Sequence, residues 1–140
     1  MYRQKIEKLT EWKNDPFRKP LILFGARQVG KTYLVRDIFA KENYENYIYI
    51  DLATESEVRR FIKNHVSAEE IIRFLSLRYD MEIDESTLII FDEIQECIPL
   101  ITSLKYFCQD YRSVPVIATG SMVRIRLKQT EKKLLQKTLN

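Results

Sequence analysis

The sequence predicts a three-layer α/β fold with a parallel β-sheet, and three observations support this prediction. Four short apolar runs, at residues 21–24, 47–52, 88–93 and 115–121, have the composition of buried strands. Segments with helical spacing separate the runs, which is typical of a parallel sheet covered by helices. With only 3 glycines and 4 prolines in 140 residues, the chain lacks the composition of a turn-rich all-β fold.

The composition predicts one soluble domain, with 45% hydrophobic and 31% charged residues. No apolar run has the length of a membrane span and no signal-type segment follows Met1, so we expect a cytoplasmic protein without membrane contact. We divide the chain into a core at residues 1–123 and a basic tail at residues 124–140, predicted to be a strand or disordered. The tail is interpreted either as a solvated end or as a contact for nucleic acid.

Helical spacing predicts helices on both sides of the first strand. Ile6, Leu9 and the neighbouring Trp12 indicate an amphipathic helix over residues 3–13. A second helix follows residue 32, and its apolar face is formed by Leu34, Val35, Ile38 and Phe39.

Further helices are predicted from their starts. Capping-box patterns at Thr54-x-x-Glu57 and Ser67-x-x-Glu70 indicate helices near residues 56–63 and 68–79. Pro99 fits the first turn of a last helix. His65, Cys97 and Cys108 have no metal-type spacing and are interpreted as structural.

The first strand runs directly into the pattern G-x-x-x-x-G-K-[ST], the spacing of a phosphate-binding loop. Its two glycines allow the backbone N–H groups to approach phosphate oxygens closely. Lys31 is expected to reach the terminal phosphates, and the hydroxyl of Thr32 is a ligand for Mg²⁺. The predicted nucleotide-binding residues are Gly25, Ala26, Arg27, Gln28, Val29, Gly30, Lys31, Thr32 and Tyr33.

Two acids, Asp92 and Glu93, end the third strand. Ligands bind at the carboxyl ends of parallel strands, so both acids are expected beside the phosphate loop. Asp92 is predicted to hold Mg²⁺, directly or through water, and Glu93 to orient and deprotonate an attacking water. The alternative is that the two acids only cap the next segment.

Thr119 and Ser121 supply hydroxyl groups at the end of the fourth strand. We predict that they position the attacking water or contact the γ-phosphate, and a local cap or turn hydrogen bond is the alternative. The sequence lacks the Asn-Lys-x-Asp pattern of guanine-specific proteins, and the Asp-Glu pair points to ATP. The predicted catalytic residues are Lys31, Glu93, Thr119 and Ser121.

The motifs GARQVGKT, at residues 25–32, and FDEIQ, at residues 91–95, resemble the AAA-type ATPase domain of a widespread bacterial and archaeal family. The resemblance extends from about Ile6 to Val123. It implies a P-loop NTPase core with sheet order 5-1-4-3-2 and Mg²⁺-dependent ATP hydrolysis. It places Lys31, Thr32, Asp92 and Glu93 in the phosphate-binding and acidic motifs and Thr119 or Ser121 in the sensor position.

Family members are longer and continue into a fifth strand, a helical lid and a nuclease-like domain. Because the tail does not resemble that continuation, we expect a truncated core with strand order 1-4-3-2, the fifth strand missing or replaced by the tail. The first strand would then be an exposed sheet edge that favours self-association.

The expected function is ATP binding with Mg²⁺-dependent hydrolysis. Two alternatives stay open at this point. One is an ATP-binding module with negligible hydrolysis, since no lid or arginine finger is identifiable. The other is a nucleic-acid-associated ATPase fragment that uses the basic tail.

Overall fold

The computed structural model describes residues 2–25 and 30–121, and within them the four predicted strands form one parallel sheet. The strands are β1 (Leu21–Phe24), β2 (Asn46–Asp51), β3 (Thr87–Asp92) and β4 (Val116–Gly120). Their order is β1-β4-β3-β2, as predicted. In the described part of the chain β1 is therefore a sheet edge, while self-association through it stays a prediction. The tail at residues 124–140 lies outside the described residues.

Helices cover both faces of this sheet. They are α1 (Tyr2–Asn14), α2 (Tyr33–Ala40, continued by Lys41–Asn43), α3 (Ser56–Asn64), α4 (Ala68–Arg78) and α5 (Pro99–Asp110). Helices α1 and α2 pack on one face, and α3, α4 and α5 pack on the other. The predicted three-layer α/β class is confirmed. In α2, the segment Tyr33–Ala40 has the wider π-type hydrogen bonding, which the apolar spacing did not predict.

None of the helices in residues 2–25 and 30–121 is long and apolar enough to cross a membrane.

Side-chain alternation along the strands determines which residues reach the site. Leu88 and Ile90 of β3 point toward α1 and α2, where they pack with Ile117 of β4. Successive side chains of a strand point to opposite faces, so Asp92 continues the face of Leu88 and Ile90. The acid at the end of β3 is thereby directed toward the start of α2, which carries Thr32.

The N-cap predicted at Ser67 is confirmed, and the reciprocal bond of its capping box is made to the Ser67 hydroxyl in place of the Ser67 backbone N–H. The Ser67 hydroxyl accepts a hydrogen bond from the Glu70 backbone N–H at 3.2 Å and donates to the Glu70 carboxylate at 2.9 Å. Helix α4 begins at the next residue, Ala68. Pro99 likewise stands at the start of α5, as expected.

The capping box predicted at Thr54 is wrong. Helix α3 is preceded by Glu55, and no side chain caps its first turn. Glu57, the acid of the expected box, instead binds the guanidinium group of Arg78 at 2.7 Å. A tertiary ion pair between α3 and α4 has replaced the local interaction.

The residues interpreted as structural behave accordingly. The His65 ring stacks on Phe61 with a centroid separation of 4.3 Å. Cys97 is buried and Cys108 is half-buried, and both are free thiols. Burial raises the pKa of the Cys97 thiol to about 11, which keeps it protonated at neutral pH.

Replacement of Ser67 by Ala should lower the free energy of unfolding by about 1 kcal/mol, because the Glu70 N–H loses its capping acceptor. Urea unfolding followed by circular dichroism measures the change. Thr54→Ala is the matched control and should cost much less, since Thr54 caps no helix. Equal losses in the two variants would contradict the assignment of the caps.

Candidate functional site

The phosphate-loop sequence begins directly beside the end of β4. Phe24 of β1 pairs with Gly120, and the Gly25 N–H donates to the Gly120 carbonyl at 3.2 Å. This contact brings Thr119 and Ser121 to the same edge of the sheet as the loop. The predicted loop positions Ala26, Arg27, Gln28 and Val29 lie outside the described residues.

The second glycine of the motif turns the chain into α2. Gly30 has φ of 77°, a left-handed conformation that glycine adopts without steric cost. Its carbonyl accepts the Leu34 N–H at 2.9 Å, which closes the first helical turn over Lys31 and Thr32. Tyr33, the last predicted binding residue, begins the π-type segment and is 51% exposed.

Lys31 bridges the loop and β4. Its Nζ donates to the Gly120 carbonyl at 2.6 Å and to the Gly25 carbonyl at 3.3 Å. Burial lowers the pKa of Lys31, and the negative charges of Glu93 and Asp92 oppose that shift. The ammonium group therefore lies between Gly25 and the end of β4, within the electrostatic influence of Asp92 and Glu93.

Asp92 is the centre of the hydrogen-bond network at this edge, and it is only 8% exposed. Its Oδ2 accepts hydrogen bonds from the hydroxyls of Thr32, at 2.8 Å, and Tyr49. Its Oδ1 accepts from the Thr119 hydroxyl and from the Glu93 N–H, the latter at 3.0 Å. The structure thus brings Thr32, Asp92 and Thr119 into direct contact.

Glu93 begins a sharp turn out of β3. Its backbone is left-handed, with φ of 61° and ψ of 53°, which costs roughly 1–2 kcal/mol for a residue with a Cβ. A 3₁₀ turn, Ile94–Glu96, follows. Such strained conformations persist where surrounding contacts enforce them, and they cluster at functional sites.

Gln95 connects Glu93 to the end of β4. Its Nε2 donates to the Glu93 carboxylate, and its Oε1 accepts the Ser121 N–H at 3.2 Å. Ser121 is therefore linked to Glu93 through one side chain, although it was singled out for its hydroxyl. The turn after β3 and the end of β4 therefore form one hydrogen-bonded unit.

Sequence reasoning missed Tyr49 and Gln95. Tyr49 pairs with Ile90 and shares the face on which Leu88, Ile90 and Asp92 lie, so strand alternation contained a signal for it. Gln95 is the last residue of the FDEIQ motif, and the sequence predicts no role for it. The two residues it contacts lie 2 and 26 positions away in the chain, and no local pattern relates them.

The donor set at this site suits Mg²⁺. Among residues 2–25 and 30–121, no three His, Cys, Asp or Glu side chains form a cluster that would enclose a metal ion. Mg²⁺ in nucleotide sites is typically held by one or two protein oxygens together with phosphates and water. The adjoining hydroxyl of Thr32 and carboxylate of Asp92 supply oxygen ligands of this kind.

The parallel sheet, the G-x-x-x-x-G-K-T sequence between β1 and α2, and the acid at the end of β3 define a P-loop nucleotide-binding protein. Residues 17–140 match the family described as AAA domain, and since the match covers most of the chain, the protein belongs to that family. The match runs past Val123, where the resemblance was expected to end, and includes the tail. No curated protein has a significant match to the sequence.

Gly120→Ala should destabilise the protein by about 1–3 kcal/mol through overpacking. A Cβ at residue 120 would lie 2.6 Å from Ile94 Cγ2 and 3.0 Å from Gln95 Oε1. Urea unfolding of Gly120→Ala, Ile94→Ala and the double variant tests this. The double variant should lose less stability than the sum of the single losses, because Ile94→Ala removes the nearest clash. Strictly additive losses would contradict the close contact.

Proposed function

We propose that this protein binds ATP and hydrolyses it with the help of Mg²⁺. The contact that carries the proposal is the hydrogen bond of 2.8 Å between Thr32, at the start of α2, and Asp92, at the end of β3. It joins the phosphate-binding motif to the acidic motif.

Nucleotide phosphates are proposed to bind at the N-terminus of α2. The backbone N–H groups of the loop and the helix dipole favour negative charge there. Lys31 would exchange its bonds to the Gly25 and Gly120 carbonyls for bonds to phosphate oxygens. Burial lowers the pKa of Lys31, and the negative charges of Glu93 and Asp92 oppose that shift and so favour the ammonium form.

Thr32 and Asp92 are the proposed residues for Mg²⁺, which would supply positive charge against the phosphate oxygens. Thr119 would hold the Asp92 carboxylate in place through its hydroxyl. This role differs from the predicted contact of Thr119 with water or phosphate, because its donor hydrogen is used within the protein.

In the proposed hydrolysis, Glu93 accepts a proton from a water molecule whose oxygen forms a bond to the γ-phosphorus. The bond between that phosphorus and the bridging oxygen breaks, and ADP and inorganic phosphate leave. Gln95 holds the Glu93 carboxylate beside Ser121 and so restricts its orientation.

Lys31→Ala should weaken binding of a fluorescent ATP analogue by about 10- to 100-fold, the effect of losing a hydrogen bond to a charged group. Equilibrium fluorescence titration in the presence of Mg²⁺ measures the affinity. Lys41→Ala is the control, since Lys41 is exposed near the other end of α2. An unchanged affinity for Lys31→Ala would refute the proposed phosphate site.

Glu93→Gln should retain analogue binding and reduce ATP turnover by about 10²–10⁴-fold, because the amide cannot accept the proton of the attacking water. Single-turnover assays with labelled ATP provide the rate, and Glu96→Gln, an exposed acid in the same turn, is the control. Equal turnover in wild type and Glu93→Gln would remove Glu93 from the mechanism. Wild-type binding without turnover would favour the alternative of an ATP-binding module.

A further inference from the structure

The Asp92 carboxylate receives a hydrogen bond from a residue that belongs to neither nucleotide motif. The Tyr49 hydroxyl, on the neighbouring strand β2, donates to Asp92 Oδ2. Tyr49 pairs with Ile90, two residues before Asp92, so the tyrosine lies diagonally across the two strands from the acid. Only a long side chain spans such a diagonal.

A cation from helix α2 lies over the face of the Tyr49 ring. The Arg36 guanidinium of α2 lies 4.5 Å from the ring centroid of Tyr49, and Asp37 binds the same guanidinium at 3.1 Å. The hydrogen bond to Asp37 raises the pKa of Arg36, so the cation facing the ring is permanent. A cation over the ring face and an acceptor at the hydroxyl together restrict the side chain to one orientation.

We propose that Tyr49 is a positioning residue that fixes the Asp92 carboxylate for Mg²⁺ when nucleotide is bound. The inference rests on the proposed function. Thr32 and Tyr49 are the two hydroxyl donors to Asp92 Oδ2 found among the described residues. A hydroxyl that binds Mg²⁺ uses an oxygen lone pair, so Thr32 would serve both the ion and Asp92, whereas Tyr49 would act on the carboxylate alone. Partners of this kind orient metal-binding groups, and their loss typically costs 10- to 100-fold in metal affinity.

The closing experiment compares Tyr49→Phe with Tyr47→Phe. Tyr47 lies two residues earlier on β2, on the same face, and each variant loses one hydroxyl oxygen. Each folded protein, verified by thermal melting, is titrated with a fluorescent ATP analogue in EDTA and then with Mg²⁺ at fixed analogue concentration. Tyr49→Phe should need about 10- to 100-fold more Mg²⁺ for half of the Mg²⁺-dependent signal, with unchanged affinity in EDTA. Tyr47→Phe should match the wild type.

A double-variant cycle with Asp92→Asn tests whether Tyr49 acts through that carboxylate. Tyr49→Phe should have no additional effect on the Mg²⁺ response in the Asp92→Asn background. If Tyr49→Phe needs the same Mg²⁺ concentration as the wild type, the inference is overturned and the proposed function is not. The same holds if Tyr49→Phe weakens binding of the ATP analogue by the same factor in EDTA and in Mg²⁺. A variant that fails to melt cooperatively would also overturn it, since Tyr49 would then be structural. A wild type that binds the analogue without any response to Mg²⁺ would overturn the proposed metal site together with this inference.

Discussion

The site depends on the carboxylate of Asp92, which is almost completely buried. Burying an ionised acid is costly unless donors replace its hydration shell. Asp92 meets this requirement with three hydroxyls and one backbone N–H, contributed by α2, β2, β4 and its own turn. Each donor belongs to a different part of the chain, so the carboxylate keeps the ends of the strands and the start of α2 in a common arrangement. Disturbing any one of these elements changes the solvation of the acid.

Strand alternation and register explain how the donors converge. In β3 the face that packs under α1 and α2 ends in Asp92, and in β4 the face of Ile117 ends in Thr119. The register places Phe91 beside Ala118, so the next residues of both strands are neighbours. On each of these strand faces, the apolar core residues are followed directly by a residue of the site. Packing of the core residues therefore fixes where Asp92 and Thr119 lie at the ends of the strands.

Most of the fold could be predicted from the sequence, whereas the site could be predicted only in part. Apolar runs and helical spacing are local properties, and they indicated the strands and most helix starts correctly. The cap at Thr54 failed because Arg78 of another helix competes for Glu57. Tyr49 and Gln95 could not be predicted as site residues from local spacing. Tyr49 reaches Asp92 because β2 pairs with β3, and Gln95 reaches Glu93 because the chain turns after β3. Residues 25–32 and 92 could be predicted as candidate site residues because phosphate and metal binding require particular residue types at a fixed spacing.

The left-handed backbone at Glu93 affects both the stability of the fold and the proposed proton transfer. Only glycine adopts this conformation without a steric penalty, and the chain has a glutamate at this position. A glycine at this position would relieve strain in the folded state but would also loosen the unfolded chain and remove the carboxylate. Stability and the proposed proton transfer therefore place opposite demands on one residue, and the fold keeps the strained acid through the neighbouring contacts of Gln95 and the buried Ile94.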